Sequence, residues 1–161
     1  MQPEAKADRI EFRIAGEEDI DNLLELLTQF FVESDYPNLG LTPDLERARQ
    51  WLANAIKFGT PQHLVAIDEE TGLLVGVLGY CIDHTATIEP FAYLDKFYVR
   101  TGWRTRRVGA TLLLSALHLA RSEGCAAFRA GLSSGIPGGD ALFLKNGFTE
   151  TPNSVLLARR L

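Results

Sequence analysis

The sequence is poor in cysteine, in net positive charge and in long apolar runs. Its only cysteines, Cys81 and Cys125, lie far apart, which argues against a disulfide framework and favours a reducing compartment. A formal net charge of −5 argues against a general nucleic-acid-binding protein. The longest apolar run, ATLLLSALHLA from Ala110, is too short to cross a bilayer. The polar start MQPEAKADRI is unlike a signal peptide, so we predict a soluble cytoplasmic protein without nucleic-acid or membrane partners.

The chain has 161 residues and contains no repeat and no linker-like segment. This predicts one domain over residues 1–161, with a flexible N-terminus over residues 1–8. Alternating and helical hydrophobic patterns follow one another in the order β-α-α-β-β-β-α-β-α-β. That order predicts a protein of the α/β (α+β) class, with a mixed sheet and helices on its faces.

Cap and turn residues predict where individual elements begin and end. Thr42 is expected to cap the second helix, with Pro43 at its first position and Gly59 just after its end. The segment Glu69–Gly72 supplies the turn of a hairpin between two apolar runs. Asp140 is expected to cap a short last helix, and the final VLLARRL predicts a terminal strand.

Positive charge is gathered between Arg100 and Arg107, where four of the eight residues are arginine. A long helix is predicted from about residue 107 to residue 123, with Gly109 in its first turn. Backbone N–H groups at a helix N-terminus favour an anion, and neighbouring arginines add charge-assisted contacts. The stretch therefore predicts a diphosphate site, and a carboxylate at residue 109 is expected to repel that diphosphate. The alternative is a solvated loop that only aids solubility.

Other phosphate motifs are missing from the sequence. The pattern GxxxxGK[ST] does not occur, which excludes a P-loop nucleotide site. The pattern GxGxxG does not occur either, which argues against a Rossmann dinucleotide site.

The segment LDKFYVRTGWRTRRVGATLL, from Leu94, resembles the acetyl-CoA-binding core of the GNAT superfamily of N-acetyltransferases. Members carry a strand similar to LEDLYV, a short loop, and the pattern Arg/Gln-x-x-Gly-x-Gly/Ala at the start of a long helix. That pattern falls here on residues 104–109, with Arg107 at the place of the first glycine. The segment ALFLKNGFTET, from Ala141, is similar to the family ending A-x-x-FYxxxGF.

The resemblance implies a GNAT fold, with about six to seven strands, about four helices, and a fourth and fifth strand that splay apart. It implies acetyl-CoA as co-substrate and no metal. The implied acceptor is a primary amine, either of a small molecule or of a lysine or N-terminus of a protein, and a homodimer is compatible with the resemblance. The alternative is a non-catalytic acyl-CoA-binding or regulatory domain with the same fold.

Cofactor contacts are also implied by the resemblance. The backbone of Phe97, Tyr98 and Val99 would pair with the pantetheine arm, and an N–H group near Val99 would stabilise the oxyanion. The diphosphate would be held by backbone N–H groups of seven residues: Arg104, Thr105, Arg106, Arg107, Val108, Gly109 and Ala110.

Phe143 lies in the cofactor region where members usually have a tyrosine that acts as general acid. A phenyl ring cannot donate a proton to the leaving thiolate. This leaves three tyrosines, water, or unassisted departure of the thiolate; the tyrosines are Tyr36, Tyr93 and Tyr98.

Asp95 is the first candidate for a general base, because polyamine acetyltransferases of this family carry a glutamate at the matching place. The alternative is that Asp95 only forms a surface ion pair. Further candidates for the base are Asp83, Glu89, Glu33 and Asp35. The acceptor site is expected to include Glu33, Tyr36, Asp83 and Tyr93.

Other polar residues do not form a recognisable site in the sequence. Ser115 and His118 share a helix face, but no acidic residue orients the histidine, which argues against a hydrolase dyad. His63, His84 and His118 do not have the spacing of metal ligands, so no metal site is predicted.

Overall fold

The computed structural model describes residues 9–85, 87–132 and 138–151. The strands in these ranges are β1 (Ile10–Ile14), β2 (Gln62–Asp68), β3 (Leu74–Asp83), β4 (Phe91–Val99) and β5 (Ala127–Arg129). The α-helices are α1 (Ile20–Glu33), α2 (Leu45–Phe58), α3 (Val108–Ser122) and α4 (Gly139–Lys145). The predicted flexible N-terminus and the predicted strand VLLARRL lie outside the described residues.

The strands form one mixed sheet in the order β1-β2-β3-β4-β5. The first three pairs are antiparallel, and β5 runs parallel to β4. The mixed sheet with helices is as predicted, although the described residues form five strands and not six to seven. Among the described residues, β5 pairs with residues 91–93 of β4, and no strand pairs with residues 94–99 on that side, which leaves one edge open. This open edge is the predicted splay between the fourth and fifth strands.

Alternating strand residues build two cores, one on each face of the sheet. On one face Val65, Val77 and Tyr98 pack against α1 and α2. On the other face β-strand side chains such as Leu78 pack against α3 and α4. Both cores consist largely of fully buried aliphatic side chains, and burial of each one contributes about 1.5–3 kcal/mol to the stability of the fold. The sheet is therefore a rigid support for the residues at its open edge.

Helix α3 lies unusually close to β3. A Cβ built on Gly76 of β3 would lie 3.0 Å from side-chain atoms of both Val108 and Leu112. The absence of a side chain at residue 76 therefore lets the first turns of α3 approach the sheet, beside the open edge of β4. Among the described helices, none is long and apolar enough to cross a membrane.

Two predicted helix caps are wrong. Helix α2 is capped by Asp44, whose carboxylate accepts the Arg47 N–H at 3.0 Å, so Thr42 and Pro43 precede the cap. Helix α4 begins after Gly138, which has φ of 78°, and Asp140 lies inside its first turn. The cap of α2 lies two residues after the predicted one and the cap of α4 two residues before it, because the position of the first helical turn decides which residue is the cap. Gly59 ends α2 as predicted, with φ of 65°.

Candidate active site

Asp95 lies at a β-bulge in β4. Lys96 pairs with Gly79 of β3, and Leu94 pairs with Tyr80, so Asp95 is an extra residue without its own partner. A bulge turns two neighbouring side chains of one strand towards the same face. Asp95 and Lys96 therefore both lie on the face covered by α1 and α2, and their charged groups are 2.7 Å apart.

The surroundings of this ion pair come from three other elements. Lys96 Nζ lies 4.0 Å from the ring centroid of Trp51 on α2. The Trp51 ring meets His63 of β2 edge-on, with ring centroids 5.5 Å apart. Asp95 and Lys96 are each about a quarter exposed, whereas His63 is 2% exposed. The carboxylate thus faces solvent on one side and a buried imidazole on the other.

The open edge of β4 presents the N–H and C=O of Phe97 and the N–H of Val99, because the Val99 carbonyl accepts a bond from the Arg104 side chain. The Arg100 N–H donates to the Val75 carbonyl at 2.9 Å, so in an antiparallel ladder the next residue facing β3 is Tyr98. The N–H and C=O of Tyr98 therefore point into the sheet, and its predicted backbone contact with a cofactor stays a prediction. Phe97 and Val99 alternate with it and face the edge that β5 leaves open.

The start of α3 offers a set of N–H groups without acceptors. Within the described residues, no internal acceptor pairs with the N–H groups of five residues: Thr105, Arg107, Val108, Gly109 and Ala110. The N–H groups of Arg104 and Arg106, predicted to hold a diphosphate, donate instead to Thr101 and Trp103 carbonyls. Those two bonds form the turns that lead into α3, so the remaining five groups are the ones free to bind an anion.

The clustered arginines divide into two pairs. Arg100 and Arg104 brace the loop: Arg100 bonds to the Leu74 carbonyl and Glu25, and Arg104 bonds to the Val99 carbonyl at 2.8 Å. Arg106 lies over the Trp103 ring, 4.5 Å from its centroid, and remains exposed, as does Arg107. The second pair is therefore the one placed to meet an anion at the start of α3.

Glu33, predicted to contact the acceptor, ties the end of α1 to this loop. It accepts the Tyr98 hydroxyl and an Arg104 N–H, both at 2.5 Å. Burial alone would raise the pKa of Glu33, but the bonds from Tyr98 and Arg104 lower it below its usual range. Burial, together with the bond to Glu33, raises the pKa of Tyr98 to about 12. Both side chains are thus engaged with each other rather than directed at an acceptor.

Among the described residues, Arg107 alone combines a side chain with a left-handed backbone, with φ of 63°. It directly precedes α3. A left-handed conformation costs a residue with a Cβ roughly 1–2 kcal/mol. The exposed guanidinium beside the free N–H groups offers a functional reason to keep arginine there.

We predict that Arg107→Gly raises the free energy of unfolding by up to about 1 kcal/mol, because it relieves the left-handed strain. Arg107→Ala keeps that strain and is expected to be no more stable than the wild type. Both variants lose the same positive charge, so both are expected to weaken acetyl-CoA binding. Urea unfolding and calorimetry measure the two effects; equal stability of the Gly and Ala variants would contradict the strain.

The Cβ direction of Gly109 and the ring of Phe143 both face the core, although the Gly109 N–H has no acceptor among the described residues at the start of α3. A Cβ on Gly109 would lie 3.2 Å from Phe97 Cζ and 3.3 Å from Leu142 Cδ2. Phe143 is 3% exposed and meets Phe97 and Phe148 edge-on. Gly109 thus permits α3 to pack on β4, and Phe143 supports the strand that carries the open edge.

Of the remaining predicted acceptor residues, Asp83 and Tyr93 share a face of the sheet with Asp95, and Tyr36 lies near the end of α1. Tyr93 is 42% exposed, and Asp83 ends β3 on the same face, where it accepts a Thr85 N–H at 2.7 Å. Tyr36 follows α1, is 42% exposed, and packs against Phe31. The structure brings Asp83, Tyr93 and Asp95 to the face of the sheet that α1 and α2 cover; Glu33 lies on the same face, where Tyr98 and Arg104 hold its carboxylate.

Sequence reasoning missed His63, Lys96, Gly79 and Trp51 as neighbours of Asp95. His63, Gly79 and Lys96 form one row across β2, β3 and β4, and Trp51 of α2 covers it; the row depends on strand register, which no local pattern specifies. The sequence offers one signal for a buried polar residue here, a histidine within an apolar strand. The residues of a strand that face the core are buried, and the strand pattern places His63 among them.

A family comparison decides the identity of the fold. The model of the acetyltransferase (GNAT) family matches residues 20–148, which is most of the chain. The chain belongs to the GNAT acetyltransferase family. No curated protein matches it.

Solved structures of this fold are similar along almost the whole chain. The aminoglycoside N-acetyltransferase AAC(6')-Iy in complex with CoA has a TM-score of 0.77 and 15% identity, covering 98% of this chain and 99% of its own. The aminoglycoside 6'-N-acetyltransferase AAC(6')-Ih from Acinetobacter baumannii has a TM-score of 0.72 and 16% identity, covering 95% and 99%. A predicted acetyltransferase from Clostridium acetobutylicum with acetyl-CoA has a TM-score of 0.72 and 15% identity, covering 93% and 96%. At these identities the likeness concerns the GNAT fold.

Proposed function

We propose that this GNAT protein transfers an acetyl group from acetyl-CoA to a primary amine, directly, within a complex of both substrates. The observation that carries the proposal is the junction of the open edge of β4 with the unpaired N–H groups at the start of α3. An extended arm can pair with Phe97 and Val99 there, while the diphosphate accepts N–H groups one turn away.

Asp95 is the proposed general base. Alkyl amines titrate near pH ~10.4, so an acceptor amine arrives as ammonium and must lose a proton before it attacks. Asp95 is partly exposed on the face beside the open edge, which lets it meet an ammonium from solvent. Holding the amine next to the thioester supplies roughly 7–11 kcal/mol of the barrier by proximity.

The Val99 N–H is the proposed oxyanion donor, since it points out of the sheet at the open edge. Phe143 and Tyr98 are poor candidates for the acid that protonates the leaving thiolate. Phe143 has no acidic proton, and Tyr98 is buried and donates its hydroxyl proton to Glu33. Tyr93 is exposed on the Asp95 face and is the tyrosine best placed to help. Water is the other donor.

The acceptor that we favour is the amine of a small molecule. Two of the similar structures are named as aminoglycoside acetyltransferases, and Asp83 and Asp95 give this face negative groups suited to a cationic amine. A lysine or N-terminal amine of a protein is the second acceptor class, and a homodimer is compatible with either.

A non-catalytic acyl-CoA-binding domain is the second candidate function. The observation in its favour is Phe143, which fills the place of the usual tyrosine and is buried. Such a domain would bind acetyl-CoA through the same edge and helix, but no amine would release free thiol from it.

Calorimetry with acetyl-CoA tests the site, with ATP as control because ATP has phosphates but no pantetheine arm. We expect micromolar affinity for acetyl-CoA and none for ATP. A panel of aminoglycosides, polyamines and lysine peptides then tests turnover through release of free thiol. Binding without thiol release would favour the non-catalytic domain, and the absence of binding would refute both functions.

A further inference from the structure

His63 is a buried histidine whose ring has no partner. It is 2% exposed, and neither Nδ1 nor Nε2 makes a hydrogen bond of acceptable geometry with any described residue. A buried polar group without a partner costs about 1–3 kcal/mol. A hydrogen-bond partner that becomes available during the reaction would remove this cost.

The groups that face His63 come from every neighbouring element. Strand β4 supplies Asp95 and Lys96, α2 supplies the Trp51 ring, and the Pro61 carbonyl precedes the histidine in the chain. Strand β3 supplies Gly79, which has no side chain. A Cβ at residue 79 would lie 3.3 Å from His63 Nε2 and 3.5 Å from Asp95 Oδ2, so the two polar atoms flank the same space.

The charge states explain why the two groups are not bonded to each other. Burial, and after it the charge of Lys96, lower the pKa of His63 to about 4, although Asp95 and the Pro61 carbonyl act in the opposite direction. The ring is therefore neutral near neutral pH, and one of its nitrogens has only a lone pair. With the ring proton on Nδ1, Nε2 and the carboxylate of Asp95 both carry only lone pairs, so Asp95 pairs with Lys96 and makes no hydrogen bond to the imidazole.

We propose that His63 is a positioning residue that accepts a hydrogen bond from Asp95 once Asp95 has taken the proton of the acceptor amine. The ammonium N–H bond breaks, and an O–H bond forms on Asp95. With the ring proton on Nδ1, the lone pair of Nε2 receives that O–H group. Lys96 keeps its own proton and loses its partner, and no bond between heavy atoms changes.

Asp95 is therefore a stronger base than it would be without His63. The orphaned lone pair of His63 is satisfied only in the protonated state of Asp95, so His63 favours that state. Gly79 is part of the arrangement, because a methyl group there would stand between the two atoms. This inference rests on the proposed role of Asp95 as general base.

Nitrogen-15 NMR of the histidine rings tests the inference without any acetyl transfer. Asp95→Asn imitates the protonated acid, since its amide N–H can donate to Nε2, whereas Asp95→Ala cannot. We expect a bare Nε2 in the wild type, an upfield shift of that signal in the Asn variant, and none in the Ala variant. The His63→Gln spectrum assigns the signal. A proton on Nε2 in the wild type, or equal signals in both variants, would overturn the proposal.

The pH profile of thiol release separates this role from simple packing. His63→Leu is expected to lower the pH of half-maximal rate by about one unit. This shift corresponds to an about tenfold lower proton affinity of the base, which is the free energy of one neutral hydrogen bond. His63→Gln, with an amide oxygen as acceptor, should restore most of it, and His118→Leu on the exposed side of α3 should change nothing. An unchanged profile in His63→Leu would refute the role; a chain that acetylates no amine but shows the NMR shift would refute the proposed function alone.

Discussion

Asp95→Asn is expected to slow acetyl transfer roughly 100- to 10,000-fold, the range for loss of a general acid or base, and to leave acetyl-CoA affinity unchanged. Asparagine has nearly the size of aspartate but cannot accept a proton from an ammonium. The side chain lies on the α1 and α2 face of β4, whereas the predicted cofactor groups lie at its edge and at α3. The variant therefore separates chemistry from cofactor binding.

The measurement combines thiol release at saturating acetyl-CoA with calorimetry on the same protein. Glu46→Gln, an exposed carboxylate on α2, is the matched control and should have the wild-type rate. The loss in Asp95→Asn should shrink as the pH approaches that at which the free amine is already neutral. A normal rate across the pH range would remove Asp95 as base and leave Asp83, on the same face, as the next candidate.

Sequence patterns sufficed for the elements whose burial follows a regular period. The β2–β3 hairpin, β4 and α3 are predicted within a few residues, because apolar residues recur at strand or helix spacing. The family resemblance added the open edge of β4. Caps were less predictable, since Thr42 and Asp44 are both good caps and only the position of the first turn of α2 distinguishes them.

The parts of the site that depend on distant contacts could not be predicted. Arg104 was expected to serve a diphosphate, but Glu33, 71 residues earlier, holds its guanidinium. The bulge that turns Asp95 and Lys96 to one face arises from register between β3 and β4. The bulge shifts the alternation by one residue, but apolar residues of β4 lie on both faces, such as Leu94 and Tyr98, so the hydrophobic pattern does not reveal the shift.

Gly109→Glu is expected to lower the free energy of unfolding by roughly 3–5 kcal/mol, the cost of an unpaired charge inside a protein. The direction of the Cβ decides this result. It points at Phe97 and Leu142 at distances of 3.2 and 3.3 Å, in the contact of α3 with β4 and α4. The sequence alone predicts a different effect of Gly109→Glu. The variant would fold stably, and its carboxylate would face and repel a bound diphosphate.

Thermal unfolding distinguishes the two causes, because a loss of this size corresponds to a fall in Tm of roughly 10 °C in a chain of this length. Gly109→Ala is expected to change stability by less than about 1 kcal/mol, since helix propensity gained offsets the tight contact. Gly102→Ala is the matched control, because no atom lies within 4 Å of its added methyl group. A Gly109→Glu protein with the wild-type Tm and no acetyl-CoA binding would instead place the residue 109 side chain against the diphosphate. A low Tm would mean that Gly109 acts through packing: it brings α3 close enough to β4 for the free N–H groups to lie beside the open edge.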